Sequence, residues 1–269
     1  MQTKLGTGAD EARAGANPAV DIMELDLSDL RAALAAGWRD FLTAPLYGLV
    51  FSSVYVAAGW LIAYALIAKG QVWWTIIAGA GFPILGPFIA CGFYEVSRRL
   101  EAGQALDFPG VAGVIFSQKD RQIPSMAAVV VVFFLFWNFL GHMIFAVFLG
   151  NATMTNITSS LVVFLTTEGL MMLLVGTAVG AAFAGTLFAL TVVSLPYLLD
   201  REVDFVTAMI TSFSVVTHNP VTMLIWGLLI AGLLFVGMAL WFLGLFVVLP
   251  VLGHGTWHLY RRALVFDAG

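Results

Sequence analysis

The sequence predicts an all-α polytopic membrane protein: six transmembrane helices as three hairpins, each preceded by an interfacial amphipathic helix. Three observations predict it. Of 269 residues, 61% are hydrophobic and only 10% charged, against roughly 25% charged in a soluble domain. The mean hydropathy is +0.96. Lipid is the solvent that suits such a chain. The apolar runs are also long enough to span, which takes about 20 residues. They lack the alternation of barrel strands: "AAVVVVFFLFWNFLGHMIFAVFLG" at 127–150 is apolar almost throughout. Backbone in lipid must satisfy its own hydrogen bonds, so these runs read as helices. Lastly, one pattern of an Asp-led segment, a proline and an apolar run occurs three times.

Residues 1–22 are Gly- and Ala-rich, carry charge and have no apolar core. They are expected to be a disordered cytoplasmic tail and not a signal peptide. Residues 23–265 are expected to form a single helical transmembrane domain. The lone Cys91 excludes an internal disulfide framework. A formal charge of −4 with no basic tract gives no reason to expect nucleic acid as a partner.

The first three spans fall at Leu46–Ala68, Val72–Phe93 and Met126–Leu149. Two longer runs follow, Ser159–Leu199 and Val221–Leu259. Basic residues favour the cytoplasmic side. Arg98, Arg99, Lys119 and Arg121 follow the second span, whereas "GNATMTNITSS" (150–160) has none. Lys69, in the first hairpin turn, is an exception. Arg261 and Arg262 place the C-terminus inside with the N-terminus, so the count is even. A 40-residue helix would reach about 60 Å at 1.5 Å per residue, twice the hydrocarbon core. "SSLVVFLTTEG" (159–169) is therefore expected as a separate short external helix before a span at about 170–198. Residues 221–259 are expected to hold two spans. The competing reading divides 159–199 as well, which would place Arg201 and the C-terminal arginines outside.

The threefold pattern compares "DLRAALAAGWRDFLTAP" (29–45), "DFPGVAGVIFSQKDRQIP" (107–124) and "DFVTAMITSFSVVTHNP" (204–220). Asp29, Asp107 and Asp204 are expected helix N-caps. Leu30, Leu34, Trp38 and Phe41 recur at helical spacing, as do Phe205, Met209, Ile210 and Phe213, giving faces suited to a membrane interface. Pro45, Pro124 and Pro220 suit the first turn of the following span. The second helix of each pair also carries a proline, in "FPILG" (82–86), "LPYLL" (195–199) and "LPVLG" (249–253), with charge after it. The expected repeats are 29–102, 107–201 and 204–262.

"GWRDFLTAP" (37–45), "GFYEVSRRLEAG" (92–103), "AMITSFSVVTHNPVTMLIWG" (208–227) and "LPVLGHGTWHLYRR" (249–262) together resemble the domain-of-unknown-function 2189 family of bacterial integral inner-membrane proteins. The resemblance covers about 28–262. It implies a multi-pass helical protein of the bacterial inner membrane and carries over no catalytic role.

Four polar residues in apolar sequence are candidate functional positions: His142, Glu168, His254 and His258. The last two stand four apart and share a helix face, a spacing that can ligate one metal. No carboxylate or cysteine is near them in sequence, and Trp257, Tyr260, Arg261 and Arg262 read as an interfacial anchor. Hydrogen bonding is therefore the expected role of both, with no metal and no cofactor. His142 and His254 fall in opposite halves of the bilayer, too far apart for one haem. His218 is expected at a helix end. Glu168 is expected near the outer surface, within reach of His142. Glu95 is expected to pair with Arg98 and Arg99. Arg98, Arg99, Arg261 and Arg262 are expected to form an inner-face basic belt against lipid. Glycines 176, 180 and 185 are expected to allow close helix packing. No phosphate loop, nucleophile elbow or HExxH motif is present. The favoured function is non-enzymatic: an assembly or envelope role, with membrane lipid and other membrane proteins as partners. The alternatives are a small transporter or permease and, third, a haem or metal redox subunit.

Overall fold

A computed structural model describes residues 20–69, 73–150 and 161–266. In chain order they form strand β1 (Val20–Ile22), α1 (Leu27–Thr43), α2 (Pro45–Lys69), α3 (Trp73–Glu101), α4 (Phe108–Ser117), α5 (Ile123–Leu149), α6 (Thr167–Thr191), α7 (Ser194–Asp200), α8 (Phe205–His218), α9 (Pro220–Ala239), α10 (Leu245–Ala263) and β2 (Leu264–Phe266). Short 3-10 turns cover Gln118–Asp120 and Leu161–Leu165. Among the described residues, four helical stretches are long and apolar enough to cross a membrane: Pro45–Ala65, Ile123–Leu149, Thr167–Asp200 and Pro220–Ala239.

Several boundaries depart from expectation. Of the tail expected at 1–22, residues 1–19 lie outside the described residues, and Val20–Ile22 instead pair antiparallel with Leu264–Phe266. The N-cap of α1 is Asp26, whose carboxylate accepts from the backbone N–H of Ser28 and Asp29. Asp29 sits three residues into the helix and its carboxylate accepts from the Asp26 N–H, so the pair forms a capping box. Asp107 and Asp204 do cap α4 and α8, accepting from Gly110 N–H at 2.7 Å and Thr207 N–H at 2.9 Å. The proposed short helix at 159–169 is, where described, a 3-10 turn followed by the Thr166 cap and the first turn of α6.

Helix α10 is the hub. It packs against α1, α2, α3 and α9, and buries Pro250, Val251, Leu252, His254, Trp257, Leu259 and Tyr260. Its closest neighbour is α1. A methyl group added at Gly37 would stand 2.5 Å from the Gly255 backbone nitrogen and 2.6 Å from the Val251 carbonyl oxygen. Only glycine permits this approach.

The buried stripe of α1 is therefore Leu30, Ala33, Gly37 and Phe41. Trp38, expected on the same face as Leu30, is 47% exposed, and Leu42 is 60% exposed. Helix α8 behaves alike. It buries Ala208, Ser212 and Val215 and leaves Ile210 62% and Phe213 47% exposed. In both helices small residues, Ala33 and Gly37 on α1 and Ala208 and Ser212 on α8, share the buried stripe and let the backbones approach.

A proline explains the break between α6 and α7. Pro196 has no N–H to give to the Val192 carbonyl and crowds it. Beside the break, the bond that would run from Val193 N–H to the Ala189 carbonyl is replaced by a hydroxyl from α8. Ser212 Oγ accepts from Val193 N–H at 3.1 Å and donates to the Ala189 carbonyl at 2.7 Å.

Residues 240–244 turn the chain from α9 into α10. Trp241 (φ 54°) and Phe242 (φ 63°) both adopt left-handed backbone, which is strained for bulky residues. Helix α2 holds the turn. Trp60 Nε1–H donates to the Trp241 carbonyl at 2.8 Å, and Phe242 lies over Gly59, where a Cβ would meet its ring at 2.5 Å.

Candidate functional site

The two histidines of α10 sit at one end of the bundle, where three helices converge. His254 is fully buried. Its Nδ1 lies 2.8 Å from Ser97 Oγ of α3, and its ring meets Phe93 edge-on at 5.7 Å. Its Nε2 has no hydrogen-bond partner among the described residues. One turn on, His258 Nε2 lies 2.7 Å from Asp40 Oδ2 of α1. Ser97 also hydrogen-bonds to the Asp40 carboxylate. Asp40, Ser97, His254 and His258 thus form one chain of polar groups from a part-exposed edge into the core.

Burial pushes the Asp40 carboxyl up, but hydrogen bonds from His258 and Ser97, aided by the charge of both histidines, outweigh it. The group is held below its ordinary value of 3.8. Such a chain can share and hold a proton. Ser97 is fully buried, so its hydroxyl is not presented as a nucleophile. The carboxylate partner of His258 lies 218 residues away and was invisible to a search of neighbouring sequence. The one available signal was Asp40 itself, a charge within the "GWRDF" stretch of α1.

A belt of ion pairs surrounds this chain. Glu95 is fully buried. It accepts from Arg98 Nε and Nη2 at 2.7 and 2.9 Å and from Arg99 Nε at 2.7 Å, so the expected pairing is present. Arg99 also reaches Asp107, the cap of α4, at 2.9 Å. Arg261 lies 3.1 Å from Glu101 and 3.7 Å from Asp200, and Arg262 lies 3.1 Å from Asp29. Trp257 Nε1–H donates to Glu101, and the Tyr260 hydroxyl to Asp200. All four arginines expected to face lipid therefore meet carboxylates of this chain first. Their charges join α1, α3, α7 and α10 at one end of the bundle.

Asn219 is a further buried polar group that sequence reasoning passed over. Its Oδ1 accepts from Leu25 N–H at 2.7 Å, and its Nδ2 donates to the carbonyls of Met23 and Val215. Thr222 donates to the Leu25 carbonyl. The pair clamps the segment leading into α1 onto the start of α9. The signal was the "HNP" sequence, an amide just ahead of a helix-opening proline. His218, as expected, is the last residue of α8.

The other two candidates lie apart from this cluster. His142 is exposed on α5, its Nδ1 2.7 Å from the Asn138 carbonyl oxygen of its own helix. Glu168 is exposed in the first turn of α6, beside the Thr166 cap, where a negative charge suits the helix dipole. They do not pair with each other. Among the described residues, no three His, Cys, Asp or Glu side chains gather as a metal site.

Two cavities are apolar grooves. One of about 690 Å³ runs between α5 and α6 past Trp137, Gly141, Phe145, Met172 and Gly176. Another, of about 470 Å³, lies among α1, α9 and α10.

Residues 75–200 match the family model described as "Predicted integral membrane protein (DUF2189)". The match is shorter than the expected 28–262. It contains the Glu95–Arg98–Arg99 cluster and Ser97, and leaves Asp40, His254 and His258 outside. No curated protein and no solved structure matches the chain. With several helices of spanning length and composition, the chain is an integral membrane protein, and over residues 75–200 it is similar to the DUF2189 family.

Proposed function

We propose that this protein is a six-span protein of the bacterial inner membrane that acts without catalysis, holding membrane lipid or another membrane protein in an assembly or envelope role. In this reading α3 and α10 join the four apolar stretches as spans. At 29 and 19 residues they reach about 44 and 29 Å at 1.5 Å per residue, against a core of about 30 Å. The order of elements supports three units, each a short Asp-capped helix, a helix opened by a proline and a returning helix. Basic residues at the charged end favour a cytoplasmic location for that end and both termini.

The observation that carries the functional reading is the outward apolar face of α1 and α8. Each buries one stripe against the bundle and still presents large apolar side chains outward, Trp38 and Leu42 on one and Ile210 and Phe213 on the other. Helices dressed this way suit an interfacial position with lipid or a partner against them. A second reading, a proton-coupled transporter, draws support from the polar chain that ends at the unpartnered His254 Nε2.

The test is gentle extraction from native membranes, with crosslinking and mass analysis, alongside reconstitution of the full chain in liposomes with a trapped pH dye. Retained lipid or a stoichiometric membrane-protein partner, with no proton flux above empty vesicles, is the expected result. A protein recovered bare that carries a saturable proton flux abolished by His254→Gln would replace this reading with the transporter.

A further inference from the structure

We propose that the groove among α1, α9 and α10 is a site for one anionic phospholipid, with Arg31 meeting its phosphate and Trp38 standing at the headgroup boundary. The proposal rests on the lipid-holding reading above and specifies it.

Charge complementarity picks the occupant. Among the described residues, Arg98, Arg99, Arg121, Arg201, Arg261 and Arg262 each lie within ion-pair distance of a carboxylate. Arg31 and Arg39 do not, and both are exposed on α1. A carboxylate-rich end thus neutralises every described arginine except the two on the outward side of α1. Of those two, only Arg31 lines the groove.

The groove continues from Arg31 over apolar walls: Leu34 and Trp38 of α1, Leu233 of α9, and Val247 and Val251 of α10. Leu233 lies 13 residues beyond Pro220, the first residue of α9, hence about 20 Å along that helix. A single leaflet of the hydrocarbon core is about 15 Å deep. One acyl chain can therefore follow the groove from the level of Arg31 through its own leaflet. A guanidinium at the mouth provides the paired N–H donors that phosphate takes. An indole beside it has the amphipathic character found at headgroup level. The volume of about 470 Å³ suits part of a lipid tail and leaves no polar wall to seat a soluble solute.

The experiment is native mass spectrometry of the full chain released from nanodiscs containing equal phosphatidylglycerol and phosphatidylcholine. Wild type is expected to retain one phosphatidylglycerol in preference to phosphatidylcholine. Arg31→Gln should lower that retention about fivefold, the worth of one basic contact at an anionic surface, with its melting temperature unchanged. Arg39→Gln, on the same helix but outside the groove, should retain lipid like wild type. Ala35→Phe, which puts a ring on the groove lining, should lose phosphatidylglycerol while keeping Arg31. Equal retention of the two lipids by wild type, or equal losses in the Arg31 and Arg39 variants, would overturn the site. Should Arg31→Gln prove misfolded, Arg31→Lys and Ala35→Phe still decide it: retention by the first and loss by the second is expected, and the opposite result refutes it. A protein that pumps protons yet keeps this selectivity would sink the broader function and spare the site. A protein that binds only a protein partner, with no lipid preference, would do the reverse.

Discussion

The charged end of the bundle and the α5–α6 hairpin are built from similar lengths of helix but are held by different means. At the charged end α1 and α10 cross within contact of their backbones, α3 packs against α10, and polar side chains of the three helices bond to one another. In the hairpin, α5 buries only Ile123, Met126, Ala127 and Ile144, and α6 only Gly169 and Ala189. The first region is specified by protein–protein contacts. The second leaves most of its surface to lipid. A substitution should therefore be felt according to which region it falls in, and variants can be ranked on that basis.

The largest effect is expected at Glu95. Replacing it with alanine leaves Arg98 and Arg99 without the buried carboxylate that accepts three of their hydrogen bonds. Breaking a buried pair from one side costs about 3–5 kcal/mol. Arg98 keeps some access to water, so the lower end of that range is expected. The loss should appear as a clearly lower unfolding midpoint in detergent. A midpoint within experimental scatter of wild type would mean that the belt does not hold this end together.

Gly37→Ala comes next. The added methyl would lie 2.5 Å from the Gly255 backbone nitrogen, and neither backbone can yield without separating α1 from α10. Overpacking of this kind costs about 1–3 kcal/mol. Disulfide crosslinking between cysteines placed on α1 and α10 should slow in parallel. An unchanged crosslinking rate would show that the helices do not meet at this glycine.

Ser212→Ala tests the seam between the regions. It leaves the Val193 N–H and the Ala189 carbonyl unpaired in a buried place, at about 1–3 kcal/mol. Hydrogen exchange at Val193 should rise, while exchange in α1 stays as in wild type. Ser212→Thr, which keeps the hydroxyl, should restore protection if the added methyl is accommodated. Equal exchange at Val193 in wild type and alanine variant would remove the hydroxyl from the helix ladder.

Asp40 gives the charged end an acid sensitivity. Its carboxyl is held below 3.8 in the folded protein, so the folded state favours the ionised form. That stabilisation is present in full above 3.8 and is lost as pH falls through the lowered folded value. Asp40→Asn should accordingly be less stable than wild type at neutral pH, and the two should converge in acid. A difference that persists undiminished well below 3.8 would assign the effect of the substitution to shape and not to charge.

The sequence made the helices legible and left part of their inward faces illegible. Long apolar runs and helix-opening prolines gave the bounds of α2, α5 and α9, because lipid imposes a length and backbone chemistry imposes a start. The faces of α1 and α8 were half legible: Leu30 and Phe41 turn inward while Trp38, Ile210 and Phe213 stay outside, since in lipid a large apolar side chain has as good a place outside as inside. Packing then selects for smallness, as at Gly37, Ala33 and Ser212, where hydrophobic patterning has no signal. The polar cluster was half legible. Glu95 and its arginines are neighbours in one helix, so spacing found them. Asp40 and His258 are joined only by the crossing of α1 over α10, and no local pattern encodes that crossing. Asp26 was displaced by Asp29 for a smaller reason: two acids three residues apart can each cap, and the capping box uses both.

The smallest effect is expected in the hairpin, and its smallness is the test. A methyl group added at Gly176 or Gly185 would meet nothing within 4 Å, although glycines in a membrane helix invite the expectation of a tight contact. With no neighbour to displace, Gly→Ala in a helix interior gains about 0.5–1 kcal/mol from backbone entropy. Gly176→Ala and Gly185→Ala should therefore match or slightly exceed wild type in thermal midpoint, in contrast with Gly37→Ala. Gly180→Ala provides the internal control, because its methyl would press on the Trp137 ring at 2.9 Å and should lower the midpoint a little. If Gly176→Ala or Gly185→Ala were instead as damaging as Gly37→Ala in the membrane but harmless in detergent, a second surface must cover that face of α6 in the bilayer, and the hairpin would join the charged end as a region specified by protein contacts.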